Sequence, residues 1–588
     1  MAFQLSPGVS VTERDLTTIV PAVATTNAAF AGIFSWGPID QRVLIDSENN
    51  LVRLFGLPNN NNYPYWFSAA NFLQYGNNLQ VVRCVKEQTL AKNAVPGNKT
   101  AALIKNENFL GNADCDTHGA FIAKYAGALG NSIEVQICGS KNPTTEFNTW
   151  IYADEFDQQP RTSGYSETLG GTADEFHLVV IDKTGLWSGA TGTVLERFSN
   201  LSLSEDAQDF NGISRYYRSR INEDSRYLWC PNTPAGVTSI EEGADSATPF
   251  NTFVFNGATA SNNVSFGVAK YILGGGVDET YPTTAQEFKD IALGGTGAGY
   301  KAFSDPEQVD VNLLIGGPEY SPSNTTITDT VAASLKDIAE TRKDCVVFCS
   351  APISNPYRTE DDKLSIAKNY RNNIGSSSYV FIDSGYKYMY DIYNDKYRFV
   401  PLCGDIAGLC ARSDTNTDPW YSPAGFNRGG IKGVVKLSFN PTQTFRDELY
   451  KNNINPVVTF PGEGTVLYGD KTAQAKPSAF DRINVRRLFI VLEKAIATAS
   501  KYSLFEFNDS FTRAQFRSLV EPFLRDVQSR RGVIDFKVVC DEKNNTPEVI
   551  DSNRFVADIY IKPARSINFI QLNFIATRTG ISFSEVGA

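Results

Sequence analysis

The sequence predicts a multidomain α/β and α+β protein, with a discontinuous α/β core, a β-rich insertion and an α+β C-terminal domain. Three observations carry this reading. Strands alternate with helices over about 27–85 and again over 311–383, an order that makes a parallel sheet covered on both faces. Between about 95 and 265 the texture turns to Thr, Asn, Ser and Gly with short strands, as in one or two inserted modules. The last stretch holds two long amphipathic helices followed by alternating strands. The 588 residues suggest roughly four folded units at about 150 residues each.

Element by element, Val9 and Val11 alternate with polar neighbours, and the chain runs on through Pro21 without helical period, as an extended arm would. Ala28–Phe34 reads as a buried strand, ended by a turn at Gly37-Pro38. Ser47 caps a short helix closing at Phe55-Gly56, a second helix covers about Tyr65–Tyr75, and Leu79–Val85 is a strand. Within the insertion, Ile133–Ile137 and Phe176–Ile181 are strands. The α/β alternation then resumes with strands at Val311–Ile315, Cys345–Ser350 and Tyr379–Asp383, and helices at Thr328–Thr341 and Glu360–Ile374. Further on, Val485, Leu488, Phe489, Leu492, Ala495, Ile496 and Ala499 mark one amphipathic helix. Thr512 with Gln515 suggests a capping box for the next, whose inward residues are Phe516, Leu519, Val520, Phe523, Leu524 and Val527 and which Pro522 should bend. Residues 533–540 and 555–561 alternate as an antiparallel pair. Beyond Pro563, Ile567/Phe569 and Ile581/Phe583 alternate again, a second strand-like arm with no evident home sheet.

Composition narrows the function. Apolar residues at 42% and charged residues at 20% describe a globular chain, and no stretch approaches the eighteen or so apolar residues that span a bilayer. The first twelve residues lack a basic region followed by an apolar core, so no signal peptide is expected and folding in a cytoplasm is. Nine scattered cysteines, an odd number without a C-x-x-C pair, read as buried thiols, and His118 and His177 are the only imidazoles. No metal or cofactor is expected. The net charge of −11 argues against nucleic-acid binding. It is unevenly placed, however: Asp481–Ala588 carries +3 and the remainder −14, which suggests an acidic partner for the C-terminal part.

Candidate chemistry is sparse. Val380-Phe-Ile-Asp383-Ser-Gly385 matches the setting of the aspartate in subtilisin-like proteases, but in that family the histidine follows the aspartate, and none follows Asp383. A strand ending in a polar turn is the better reading. Gly274-Gly-Gly276 and the glycines at 294–299 fit neither phosphate-loop pattern and read as turns. Glu360-Asp361-Asp362 complement a helix N-terminus. Arg482, Arg486, Arg487, Arg513, Arg517, Arg525, Arg530 and Arg531 are too sparse for nucleic acid; as a docking face for an acidic protein, Arg513, Arg517 and Arg525 are the candidates.

Taken as a set, several blocks carry a resemblance. Ser6-Pro-Gly-Val-Ser-Val-Thr-Glu13, Phe30-Ala-Gly32, Gly37-Pro38 and Val82-Arg83 resemble the opening of contractile bacteriophage (myovirus) tail sheath proteins. Pro419-Trp-Tyr-Ser-Pro-Ala-Gly425, Gly430-Ile-Lys-Gly433 and Asn453-Ile-Asn-Pro456 resemble that family's core blocks. Asp481-Arg-Ile-Asn-Val-Arg-Arg487, Cys540-Asp-Glu542 and Ile559-Tyr-Ile-Lys-Pro563 resemble its C-terminal domain. The resemblance implies a non-enzymatic structural subunit with a subtilisin-like core that has lost catalysis. It further implies stacked hexameric rings around a tail tube, contraction that drives the tube through the host envelope, and tube, baseplate and tail terminator proteins as partners. The expected place is the virion tail, after assembly in the host cytoplasm, with neither nucleic acid nor membrane insertion. The corresponding map is an arm at 1–23, a core at 24–94 plus 266–478, a peripheral module at 95–265, a tube-facing C-terminal domain at 479–563 and a second arm at 564–588. The arms, carrying Val9, Val11, Ile567, Phe569, Ile581 and Phe583, would add strands to neighbouring subunits. Two rivals stand beside this reading: a surface-binding or other structural tail module, and a subtilisin-like hydrolase.

Overall fold

The computed structural model describes residues 24–86, 89–97, 99–139, 147–168, 174–203, 205–231, 268–294, 298–321, 324–327, 330–568 and 571. They form two units. One holds Ala24–Asn416 and Pro423–Asp481; the other holds Thr417–Ser422 and the described residues from Arg482 onward.

At the heart of the first unit, apolar runs make a sheet whose inner strands are too buried to alternate. β1 (Ala28–Gly32), β2 (Arg42–Ile45) and β3 (Leu79–Arg83) come from the first α/β stretch. Ser47 caps the intervening Glu48–Phe55 helix by accepting from the Asn50 N–H, as its position before an apolar periodic run dictates. The Tyr63–Leu73 helix follows, beginning at Asn62 with Pro64 in its first turn.

The insertion builds its own sheet. Strands β4 (Val95–Pro96), β5 (Ile122–Ala123), β6 (Ile133–Gly139), β7 (Glu175–Asp182), β8 (Thr193–Ser202), β9 (Leu228–Trp229) and β10 (Val268–Gly274) lie within it. Five of them pair antiparallel in the order β4-β10-β6-β7-β8, over a core that includes Phe121, Val135, Phe176, Leu178 and Tyr271. The boundary expected at 265 is therefore too early. β10 lies beyond it yet bonds to β6 from Val268↔Cys138 to Ile272↔Glu134, so the module's last strand is the return to the core.

Strands β11 (Leu313–Ile315), β12 (Val346–Ser350) and β13 (Val380–Asp383) complete the central sheet in the order β13-β12-β11-β1-β3-β2. All neighbours there are parallel except β2 on β3. The helix expected from Thr328 is described as Val331–Arg342, because Thr330 is its cap and the Glu319 carboxylate accepts from the Val331 and Ala332 N–H groups. The Glu360–Ile374 helix has the bounds the sequence gives, with Glu360, Asp361 and Asp362 in its first turn. The Cys403–Asn416 helix packs so closely on Tyr63–Leu73 that a Cβ on Gly404 would stand 2.1 Å from the Ser68 carbonyl oxygen. Strands β14 (Tyr386–Asp391), β15 (Lys396–Pro401) and β16 (Lys436–Leu437) make a small antiparallel sheet, and β17 (Val457–Phe460) with β18 (Gly464–Leu467) a hairpin.

The second unit packs the Ile483–Ser500 and Ser510–Ser529 helices and an antiparallel ribbon, β19 (Val533–Val539) with β20 (Asp558–Pro563). Phe536 faces Ile561 and Val538 faces Ile559, as the alternation requires. Its second helix starts earlier than expected. Asp509, not Thr512, is the cap, and its carboxylate accepts from the Thr512 N–H at 2.8 Å. Pro522 lies inside that helix, on its exposed side.

Candidate functional site

Two places carry side chains arranged for more than packing. The first is at the C-terminal end of the parallel sheet, where Ser350 and Asp383 stand opposite each other on β12 and β13. The Ser350 hydroxyl donates to Asp383 Oδ2 at 2.8 Å, the Gly385 N–H donates to Oδ1 at 2.9 Å, and the Cys403 N–H donates to Ser350 Oγ at 2.8 Å. The carboxyl is fully buried, and that burial pushes its pKa up to about 8, so near neutrality it is largely protonated. The two histidines belong to the insertion: His118 lies against the Thr100 carbonyl, and His177 on β7 against that of Gln158. Among the described residues the constellation is an aspartate, a serine and a cysteine that fasten strand ends to the start of the Cys403–Asn416 helix.

Beside it lies a buried ion pair that sequence reading missed. Lys387 Nζ is 2.9 Å from Asp405 Oδ1, both side chains are inaccessible, and Nζ also donates to the Lys432 carbonyl at 3.1 Å. The Tyr75 hydroxyl donates to the same carboxylate oxygen at 3.1 Å and accepts from the Lys432 N–H. Burial raises the Asp405 pKa, and the Lys387 ammonium opposes that rise. Eighteen residues apart on a strand and a helix, Lys387 and Asp405 form no local motif.

The second place is the unit built from the Ile483–Ser500 and Ser510–Ser529 helices and the ribbon. Its centre is Trp420, a residue of a block read from sequence as part of the core. The indole packs with Leu488, Leu492, Val520, Leu524 and Val527, and its Nε1–H donates to the Arg530 carbonyl at 3.0 Å. A Cβ on Gly532 would lie 3.0 Å from the Trp420 ring, so only glycine lets the backbone pass there. Asp418 pairs with Arg530, whose guanidinium lies 5.1 Å from the indole centroid.

The arginines divide. Arg486 and Arg487 are buried, and Arg513 is only 7% exposed, spending its guanidinium on the Asn508 carbonyl and on Asn508 Oδ1 at 2.9 Å. Arg513 is therefore withdrawn from the docking face expected of it. Arg517 is half-buried and Arg525 exposed. Of the arm residues, Ile567 is exposed, whereas Val9, Val11, Phe569, Ile581 and Phe583 lie outside the described residues. Among the described residues β19 and β20 bond only to each other, which leaves an open edge on both sides of the ribbon.

Comparison with known proteins accounts for this architecture. Residues 25–84 match the tail sheath protein Gp18 domain III N-terminal region, residues 295–473 the phage tail sheath protein central domain, and residues 475–577 the phage tail sheath C-terminal domain. The tail sheath protein of Vibrio phage KVP40 is 35% identical, with 99% of each chain covered. That of Enterobacteria phage T4 is also 35% identical, again over 99% of each chain. In fold, a sheath tail protein from Desulfitobacterium hafniense is similar with a TM-score of 0.50 at 12% identity, over 91% of this chain and 94% of that one. The chain belongs to the contractile phage tail sheath protein family, and it is a structural subunit of a contractile tail sheath.

Proposed function

We propose that copies of this chain stack as hexameric rings around a tail tube, and that contraction of the stack drives the tube through the host envelope. The observation that carries this reading is the ribbon β19–β20, whose two edges are open among the described residues. A two-stranded sheet is marginal alone, and a strand added at an open edge satisfies its backbone hydrogen bonds. The terminal arms, 1–23 and 564–588, are the segments that supply those strands to neighbouring copies. Twenty extended residues reach at most about 70 Å, at 3.3–3.6 Å each. A covalently continuous arm held in a neighbour's sheet also keeps copies connected while rings rotate.

The other assignments follow from it. The α/β core, subtilisin-like in arrangement, serves as a rigid body without hydrolase activity, since its aspartate is buried beside serine and cysteine rather than imidazole. The insertion is a peripheral module. The C-terminal unit faces the tube, with Arg517 and Arg525 as the cations left for an acidic tube surface. Each such exposed pair contributes about 0–1 kcal/mol and weakens with salt. Baseplate and tail terminator proteins cap the stack, which is assembled in the host cytoplasm. Deleting residues 1–20 tests the reading: the truncated chain should fold, by unchanged circular dichroism, and stay unassembled in negative-stain images where the full chain gives striated tubes. Normal tubes from the truncated chain would remove the N-terminal arm from the mechanism.

A further inference from the structure

The second unit contains one piece of chain that is out of sequence with the rest of it. Thr417–Ser422 belongs to that unit, yet the residues on either side, up to Asn416 and from Pro423, belong to the first. Among the described residues the units are therefore joined by three peptide bonds, Asn416–Thr417, Ser422–Pro423 and Asp481–Arg482. A domain appended through a linker would need only the last. Both flanks of the excursion are fixed in the first unit. Before it, the Cys403–Asn416 helix buries Leu409, Cys410 and Ala411, and its Arg412 donates to the Arg428 and Gly430 carbonyls. After it, Pro423 is buried and the Gly425 N–H donates to the Leu467 carbonyl at 2.9 Å. Pro419 and Pro423 fix φ at two places, so the segment is short and stiff.

Within the second unit the segment is gripped at several points. The Trp420 indole is buried among both helices, its Nε1–H donates to the Arg530 carbonyl, and Asn484 Nδ2 donates to the Trp420 carbonyl at 3.3 Å. Asp418 pairs with Arg530, and the Tyr421 N–H turns back onto the Asp418 carbonyl at 3.1 Å. The place of these partners along the chain matters. Arg530 and Gly532, which hold the indole by a hydrogen bond and by close packing, directly precede β19. The grip is thus at the root of the ribbon, whereas Arg482 is separated from that root by two helices and the turn between them.

We infer that Thr417–Ser422 is a strap that carries load between the ribbon and the body of the subunit. A neighbour's strand bonded to β19 or β20 pulls on the ribbon, and the pull reaches Gly532 and Arg530 first. From there Trp420 passes it through the strap into the Cys403–Asn416 helix, so the longer route along both helices to Arg482 is spared. A short segment fixed at both ends has little freedom to lose on seating, and a buried indole with its N–H bonded resists withdrawal. The source of the load rests on the strand exchange proposed above; the strap itself does not.

Cutting the other connection tests it. A recognition sequence for a site-specific protease is placed between the exposed Lys476 and Pro477 of the full-length chain. After cleavage without denaturant, the fragment beginning at Pro477 should co-elute with the remainder on gel filtration and separate only in urea. In Trp420→Ala the fragment should leave roughly tenfold faster or more. Trp420→Phe, which keeps an aromatic ring and loses the bond to the Arg530 carbonyl, should release it at an intermediate rate with circular dichroism unchanged. Thr472 bonds to the Phe480 and Asp481 carbonyls in all three chains, so the differences between them report the strap. Prompt release from the cleaved chain with Trp420 intact, or equal retention in all three, would overturn the strap. Assembled tubes cleaved at the same place should stay striated; tubes that come apart on cleavage would put the load on the linker and overturn the load path. Failure of the uncut chain to form tubes would overturn the sheath reading and the load path with it, while retention in the free subunit would still decide the strap.

Discussion

The central parallel sheet and the C-terminal ribbon are held together in different ways. Every residue of β11, β12 and β13 is buried, with helices available for both faces, so these strands are finished within one chain. In the ribbon, Val533 is the one β19 residue that is buried; Ile534 and Tyr560 are exposed, and both edges are open among the described residues. The first region is finished by its own sequence. Among the described residues, the second is covered on one face by Trp420 and two helices. A subunit that must be rigid yet joined to others can divide the tasks this way: stability in one sheet, assembly in the other.

Substitutions can separate the two. The largest loss is expected from Lys387→Ala, which leaves Asp405 buried without its cation and should cost about 3–5 kcal/mol in the first unit. Urea unfolding followed by hydrogen exchange at β11–β13 measures it, and Lys387→Met with Asp405→Leu should recover most of the loss. Trp420→Ala should cost about 3 kcal/mol, confined to the ribbon and its two helices, with β11–β13 protection unchanged. Equal loss in both units would show that they unfold as one.

A smaller effect concerns Asp383. Its folded pKa of about 8 lies above the ordinary carboxylate value, so between about pH 4 and 8 the folded chain holds a proton that the unfolded chain has released. Stability of the first unit should therefore fall as pH rises through that window, and Asp383→Asn should flatten the fall. A pH profile of the urea midpoint with the same slope in both proteins would place the titration elsewhere.

Much of this was readable from residue order, and the misses have physical causes. Ser47 and the Glu360–Ile374 helix were legible because caps and stripes are local. The ion pair Lys387–Asp405 and the place of Trp420 were not, because each depends on segments brought together by the fold. Arg513 could have been found: the inward stripe Phe516, Val520, Leu524, Val527 extends back one turn onto it, so its helix position already pointed inward. The β10 boundary was missed because composition changes where loops end, whereas a module ends where its last strand pairs.

The central claim is that neighbours complete the ribbon. Hydrogen exchange of Val533–Val539 and Asp558–Pro563 in the free subunit and in assembled tubes tests it most directly. The account predicts at least tenfold slower exchange of edge-facing amides in tubes, with β11–β13 unchanged; equal exchange in the two states would contradict it.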